Sequence, residues 1–110
     1  MKQYVVDQLR ELDYNQIQDH LNETAEHTPI EGIYWAPIPV DLYSQIQLEH
    51  TQCQPYYFAI SLDMNQLSSE LLIRSRQTLR CSCIGYATPQ QREYIIRFTD
   101  KILERFQITL

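Results

Sequence analysis

The sequence predicts an α+β fold: a two-layer sandwich in the order β-α-β-α-β-β-β-α, with a mostly antiparallel sheet and helices packed on one face. Three observations carry this. Residues 55–87 hold three β-rich runs joined by short polar connections, the pattern of an antiparallel meander. Apolar residues recur at helical spacing behind recognisable start signals, most clearly from Thr88 onward. The 110 residues suit one compact domain over 1–110 and leave little room for a second.

Taken in order, QYVVDQL (3–9) reads as a first strand, with Tyr4 and Val6 on one side and Val5 on the other. Asp13 has the chemistry of an N-cap and Gln16 completes a capping box. Tyr14, Ile17, Leu21 and Ala25 then follow at helical spacing, so the first helix is expected to run to about residue 25. GIYWAPIP (32–39) is β-rich but holds two prolines, which lack the N–H a ladder needs; it is expected at an edge or to stop early. Its alternation groups Ile33, Trp35 and Pro37 as the core side and turns Tyr34 outward.

Pro39 and Asp41 open a second helix, and Pro55 disfavours helix at Gln54, so this helix is expected to end near residue 53. PYYFAISLDMN (55–65) is a strong strand with Tyr56, Phe58, Ile60 and Leu62 on one face. SSELLIRSRQ (68–77) and LRCSCIGYA (79–87) complete the meander. Thr88, Pro89 and Gln91 form the best helix start in the chain: threonine cap, proline at the first helical position, glutamine at the third. Ile95, Phe98, Ile102 and Phe106 give the last helix its apolar stripe.

Composition excludes several functions. Hydrophobic residues make up 44% of the chain, enough to build a core without disulfide or metal staples. The formal net charge is −5, and an acidic whole argues against sequence-independent nucleic-acid binding. Charge is uneven: residues 1–55 carry two basic and nine acidic groups, residues 56–110 seven basic and five acidic. With only two glycines, glycine-rich phosphate loops and dinucleotide-binding turns are ruled out, as is a Gly-x-Ser-x-Gly elbow. No apolar run approaches a membrane span, and the first residues lack a signal peptide's apolar stretch. The expectation is a cytoplasmic protein whose three cysteines stay reduced.

One constellation carries chemistry. His50 and Cys53 stand about one helical turn apart and face the same way. Cys81 and Cys83 share one face of the strand predicted there. Together they form His-x-x-Cys followed by Cys-x-Cys, a Cys3His set of the kind tetrahedral Zn²⁺ takes. Against this, side chains at i and i+2 of a flat strand lie roughly 6.5–7 Å apart. Two thiolates on one zinc must approach within roughly 4 Å. The strand would have to bend, and Gly85 stands near enough to permit it. Three readings stay open: buried cysteines acting as small hydrophobes, a metal site on His50, Cys53, Cys81 and Cys83, and a thiol enzyme using Cys81 or Cys83 with His50 as base.

A weaker candidate is an anion site on Arg74, Arg76 and Arg80, beside the aromatic residues 56–58. The same arginines could instead pair with carboxylates such as Glu70. On the last helix, Arg97 has Glu93 and Asp100 in reach. No pair of carboxylates is placed for acid–base work. The sequence thus reads as a small non-catalytic domain that acts by binding a protein partner or by self-association, with the zinc and thiol readings as alternatives.

Overall fold

The computed structural model describes residues 2–109. Strand β1 (Gln3–Val6) ends before residue 9 because Gln8 turns the backbone with φ 60°. The turn sends Leu9 into the core, where its N–H meets the Asn65 carbonyl at 2.9 Å. Helix α1 (Glu11–Thr24) starts one turn earlier than predicted, with Arg10 as its cap. Asp13 sits at the third helical position and reaches back, accepting the Arg10 N–H at 3.0 Å and the guanidinium at 3.1 Å. Ile17 and Leu21 are buried, as their spacing requires.

A two-residue strand, β2 (Glu26–His27), escapes sequence detection and covers the outer edge of β3 (Ile33–Pro37). The proline-bearing strand therefore lies next to the sheet edge and stops at Pro37. Gly32, with φ 84°, leads into it; a Cβ there would stand 2.9 Å from the Leu62 carbonyl. The faces of β3 are the reverse of the expectation. Tyr34 and Ala36 are buried, while Trp35 points the other way. Period-two alternation shows that faces alternate but not which one turns inward. Pairing decides that: Tyr34 lies opposite Ile60, and its hydroxyl donates to Asn22 Oδ1 of α1 at 2.6 Å.

The predicted second helix is broken into three pieces: a 3-10 turn over Val40–Leu42, a short helix α2 (Gln45–Glu49) and a second 3-10 turn over Thr51–Cys53. Ser44 restarts the helix as a new cap, in a reciprocal capping box with Gln47.

Strand β4 (Tyr56–Asp63) is the centre of the sheet. Its partner run is split into β5 (Gln66–Glu70) and β6 (Leu72–Ser75). Ile60 pairs Ser69, but Tyr57 pairs Arg74. Two additional residues are thus accommodated on the partner side, a bulge that bends the strand. Leu71 in this bulge donates to the Lys2 carbonyl at 3.1 Å and accepts from the Ala87 N–H at 2.7 Å. The last predicted strand shrinks to β7 (Gly85–Tyr86), paired with β6.

Strand order is β1-β5-β4-β3-β2, with β6 on β4 and β7 on β6, every pairing antiparallel. Helix α3 (Pro89–Arg105) has the predicted Thr88 cap, Pro89 and Gln91 capping box. It packs on the sheet, giving the two-layer α+β arrangement. Tyr56, Phe58, Ile60 and Leu62 project from β4 into one core with Ile17 and Leu21 of α1 and Ile95 and Ile102 of α3. Phe58 meets Phe98 edge-to-face at 5.4 Å.

Candidate metal centre

Two irregular segments build the candidate site. His50 ends α2 and opens the following 3-10 turn, its N–H bonded to the Ile46 carbonyl at 3.1 Å. The turn closes with Cys53 N–H on the His50 carbonyl at 2.9 Å. The two side chains are therefore one turn apart, but not on one continuous helix. Ser75, at the end of β6, anchors the turn by donating its hydroxyl to the Cys53 carbonyl. The Ser75 oxygen also accepts from the N–H groups of Gln77 (3.0 Å) and Thr78 (3.2 Å), which starts the loop carrying the other pair.

Cys81 and Cys83 do not lie on a strand. Residues 79–84 are irregular, with a turn at 82–83, and the Ile84 N–H bonds the Cys81 carbonyl at 3.0 Å. This corrects the expectation and removes its difficulty. A flat strand would hold the two sulfurs too far apart for one metal; a tight turn folds them together. Gly85, the residue expected to permit a bend, instead begins β7.

The ligand-capable atoms of His50, Cys53, Cys81 and Cys83 all lie within 4.8 Å of one another. His50 Nδ1 is 3.1 Å from Cys81 Sγ. Tetrahedral zinc with bonds of about 2.3 Å to sulfur and about 2.0–2.1 Å to nitrogen sets donor separations of roughly 3.5–4 Å, so the group can hold a metal ion with small adjustments. All three cysteines are free thiols. Cys83 is buried, while Cys53, Cys81 and His50 are half-buried and border a surface depression of about 440 Å³.

Crowding splits the thiols electrostatically. Hydrogen bonds from the Cys83 backbone and side chain, then from His50 and Cys53, hold the Cys81 thiol down at about 6. Desolvation and the neighbouring sulfurs push Cys53 up to about 11. Sulfur that can accept from several donors favours the thiolate; sulfur facing other anions resists it.

An outer ring of buried glutamines holds the Cys83 side. Gln47 Nε2 donates to the Cys83 carbonyl at 3.3 Å, and Gln47 Oε1 accepts from Gln91 Nε2 at 2.8 Å. Gln91 Nε2 also donates to the Leu42 carbonyl at 2.9 Å. The pair connects the starts of α2 and α3 to the cysteine loop. Sequence reasoning found Gln91 only as a capping residue and missed Gln47, although Ser44-x-x-Gln47 has the same capping-box spacing. It also placed Tyr56 in the core and beside the arginines of the anion candidate, not at the cysteine cluster. The buried Tyr56 hydroxyl has no hydrogen-bond partner; burial, then the nearby Cys83 side chain, raises its pKa.

Comparison of the chain with protein-family models, curated proteins and solved structures finds no match.

Two of the three arginines of the anion candidate are engaged by carboxylates. Arg74 is paired with Glu70 at 3.0–3.3 Å. Arg76 is bonded to Glu26 and stacks over Trp35, 4.6 Å from the ring centroid. Arg80 is exposed on the loop. On α3, Arg97 stands 4.0 Å from Glu93, as its spacing suggests, whereas Asp100 accepts from the Tyr4 hydroxyl at 2.7 Å. No helix among the described residues is long and apolar enough to cross a membrane.

Proposed function

We propose that this chain is a zinc-binding domain in which Zn²⁺ is held by His50 Nδ1 and the thiolates of Cys53, Cys81 and Cys83. The observation that carries the reading is the convergence of these four donors within 4.8 Å, from segments about 30 residues apart. A Cys3His set fills a tetrahedral zinc shell and leaves no position for water or substrate, which is the composition of a structural site rather than a catalytic one. The metal would tie the turn at residues 51–53 to the loop at 81–83. That loop has little regular pairing of its own. The domain would then act by binding a protein partner or by self-association, in the cytoplasm, where thiols stay reduced.

The test is elemental analysis of protein purified without added metal, with thiol counting before and after a strong chelator. About one zinc per chain is expected, with the thiols protected until the chelator removes it. Cys81→Ser should lose most of that zinc. Three freely titrating thiols with no metal taken up even from added Zn²⁺ would end the proposal.

A second reading has its own observation. His50 Nδ1 lies 3.1 Å from Cys81 Sγ beside an open depression, the geometry of a base next to a thiol nucleophile. It requires a free Cys81. Alkylation of Cys81 that is fast, depends on His50 and is unaffected by the chelator would favour it over zinc.

A further inference from the structure

Among the described residues, one buried side-chain polar atom is left without a partner. The Tyr56 side chain is fully buried, and its ring stands edge-to-face against Tyr43 at 5.0 Å. Its backbone N–H donates to the Tyr43 hydroxyl at 3.2 Å. The hydroxyl of Tyr56 itself has no partner, and Cys83 is buried in the same core cluster, close enough to perturb it. A buried hydroxyl without a hydrogen bond is destabilising. A neutral thiol is a weak acceptor, whereas a thiolate is a strong one. Cys83 is the most buried of the three sulfurs, so a negative charge there has the least help from water.

We infer that Tyr56 is a positioning residue of the metal centre, its hydroxyl donating to the Cys83 sulfur once that sulfur is a metal-bound thiolate. The inference rests on the zinc reading above. Zn²⁺ with three thiolates carries one net negative charge, and a donor aimed at the sulfur farthest from solvent offsets it. Cys83 would then be held from two sides: Gln47 on its carbonyl and Tyr56 on its sulfur. Partners of this outer kind orient the ligands and tune their basicity.

The same hydroxyl should therefore act with opposite sign in the two states. Without metal it is an unpaired buried group; with metal it completes the site. Tyr56→Phe keeps the ring and removes only the oxygen. Titration with Co²⁺, competed by Zn²⁺, should show metal affinity lowered by about tenfold or more. The sulfur-to-cobalt charge-transfer band should move to longer wavelength, because the thiolate has lost a donor. The melting temperature of the metal-free variant should equal or exceed that of the parent. An unchanged affinity and band, or equal destabilisation with and without metal, would overturn the inference and leave the zinc reading intact. A parent protein that takes up neither Co²⁺ nor Zn²⁺ would overturn the zinc reading, and this inference with it. A second measurement needs no variant: the Tyr56 hydroxyl proton in the parent should become slow to exchange when Cd²⁺ is added. A proton whose exchange does not change would also count against the bond.

Discussion

Two buried polar regions of this molecule are built on different terms. Where α3 crosses the sheet, Ser69, Thr99 and Tyr4 have found protein partners. Ser69 and Thr99 share a hydrogen bond of 2.8 Å, Thr99 also donates to the Ile95 carbonyl at 3.0 Å, and the Tyr4 hydroxyl meets Asp100 at 2.7 Å. At the cysteine corner, three thiols and an imidazole crowd together and the Tyr56 hydroxyl has no partner. Regular geometry underlies the first region. In helix and strand the backbone satisfies itself, so a few side-chain bonds complete the interface. The second is made of turns whose carbonyls are caught by Ser75 and Gln47. Its ligand-capable atoms converge because the backbone there is irregular. The contrast teaches that regular backbone pairs its buried polar side chains locally, whereas irregular backbone gathers ligand-capable groups from distant segments and leaves one hydroxyl unpaired.

The largest expected effect falls on the first region. Phe58 is fully buried and meets both Tyr94 and Phe98 edge-to-face. Phe58→Ala should cost about 3–5 kcal/mol, the range for a large aromatic removed from a packed core. Urea unfolding should give the same loss with and without chelator. A loss that depends on metal would show that the two regions are not energetically separate.

Gln91 stands between them, and its substitution measures their coupling. It is fully buried, and its loss leaves the Leu42 carbonyl and Gln47 Oε1 each short of a donor. Gln91→Ala should destabilise by about 1–3 kcal/mol and, through Gln47, weaken zinc binding as well. A variant destabilised by that amount whose zinc affinity is unchanged would make the cysteine corner autonomous.

The smallest effect is expected far from both regions, at the start of α1. The Arg10 guanidinium, then its N–H, holds the Asp13 carboxyl below its usual value of 3.8. A folded-state pKa below the unfolded one contributes stability that is present above about pH 4 and lost as pH falls through the lowered folded value. Arg10 is largely exposed, so the contribution is small. Thermal melts should show Asp13→Asn less stable than the parent at pH 6, with the gap narrowing as pH falls below about 4. A gap that does not change with pH would remove the ion pair as its source.

Much of the architecture was legible because its signals are local. The Thr88, Pro89 and Gln91 start of α3 and the inward set Tyr56, Phe58, Ile60 and Leu62 were readable within a few residues of chain. The errors fall where a choice depends on a distant partner. The alternation at 33–37 was visible, but the pairing with β4 turned Tyr34 inward. The run at 79–87 has β composition, yet only Gly85 and Tyr86 pair, because the bulge at Leu71 and the Ser75 anchor take the chain elsewhere. Gln47 and Tyr56 were invisible as parts of the cysteine site, since an amide or a phenol carries no metal-ligand signature of its own.

The amino-acid order alone determined the α+β class, the lack of any glycine-rich loop, and the four residues of the candidate ligand set. These follow from composition, periodicity and spacing. Tertiary structure alone decided that residues 50–53 and 81–83 share one corner, that Cys81 and Cys83 sit in a turn, and that a tyrosine hydroxyl is buried without a partner in the same core cluster as Cys83. The reason is physical: caps and amphipathic stripes are settled within one or two turns of chain, whereas the approach of segments some 30 residues apart depends on strand register, on a bulge and on buried bonds formed only as the whole chain packs.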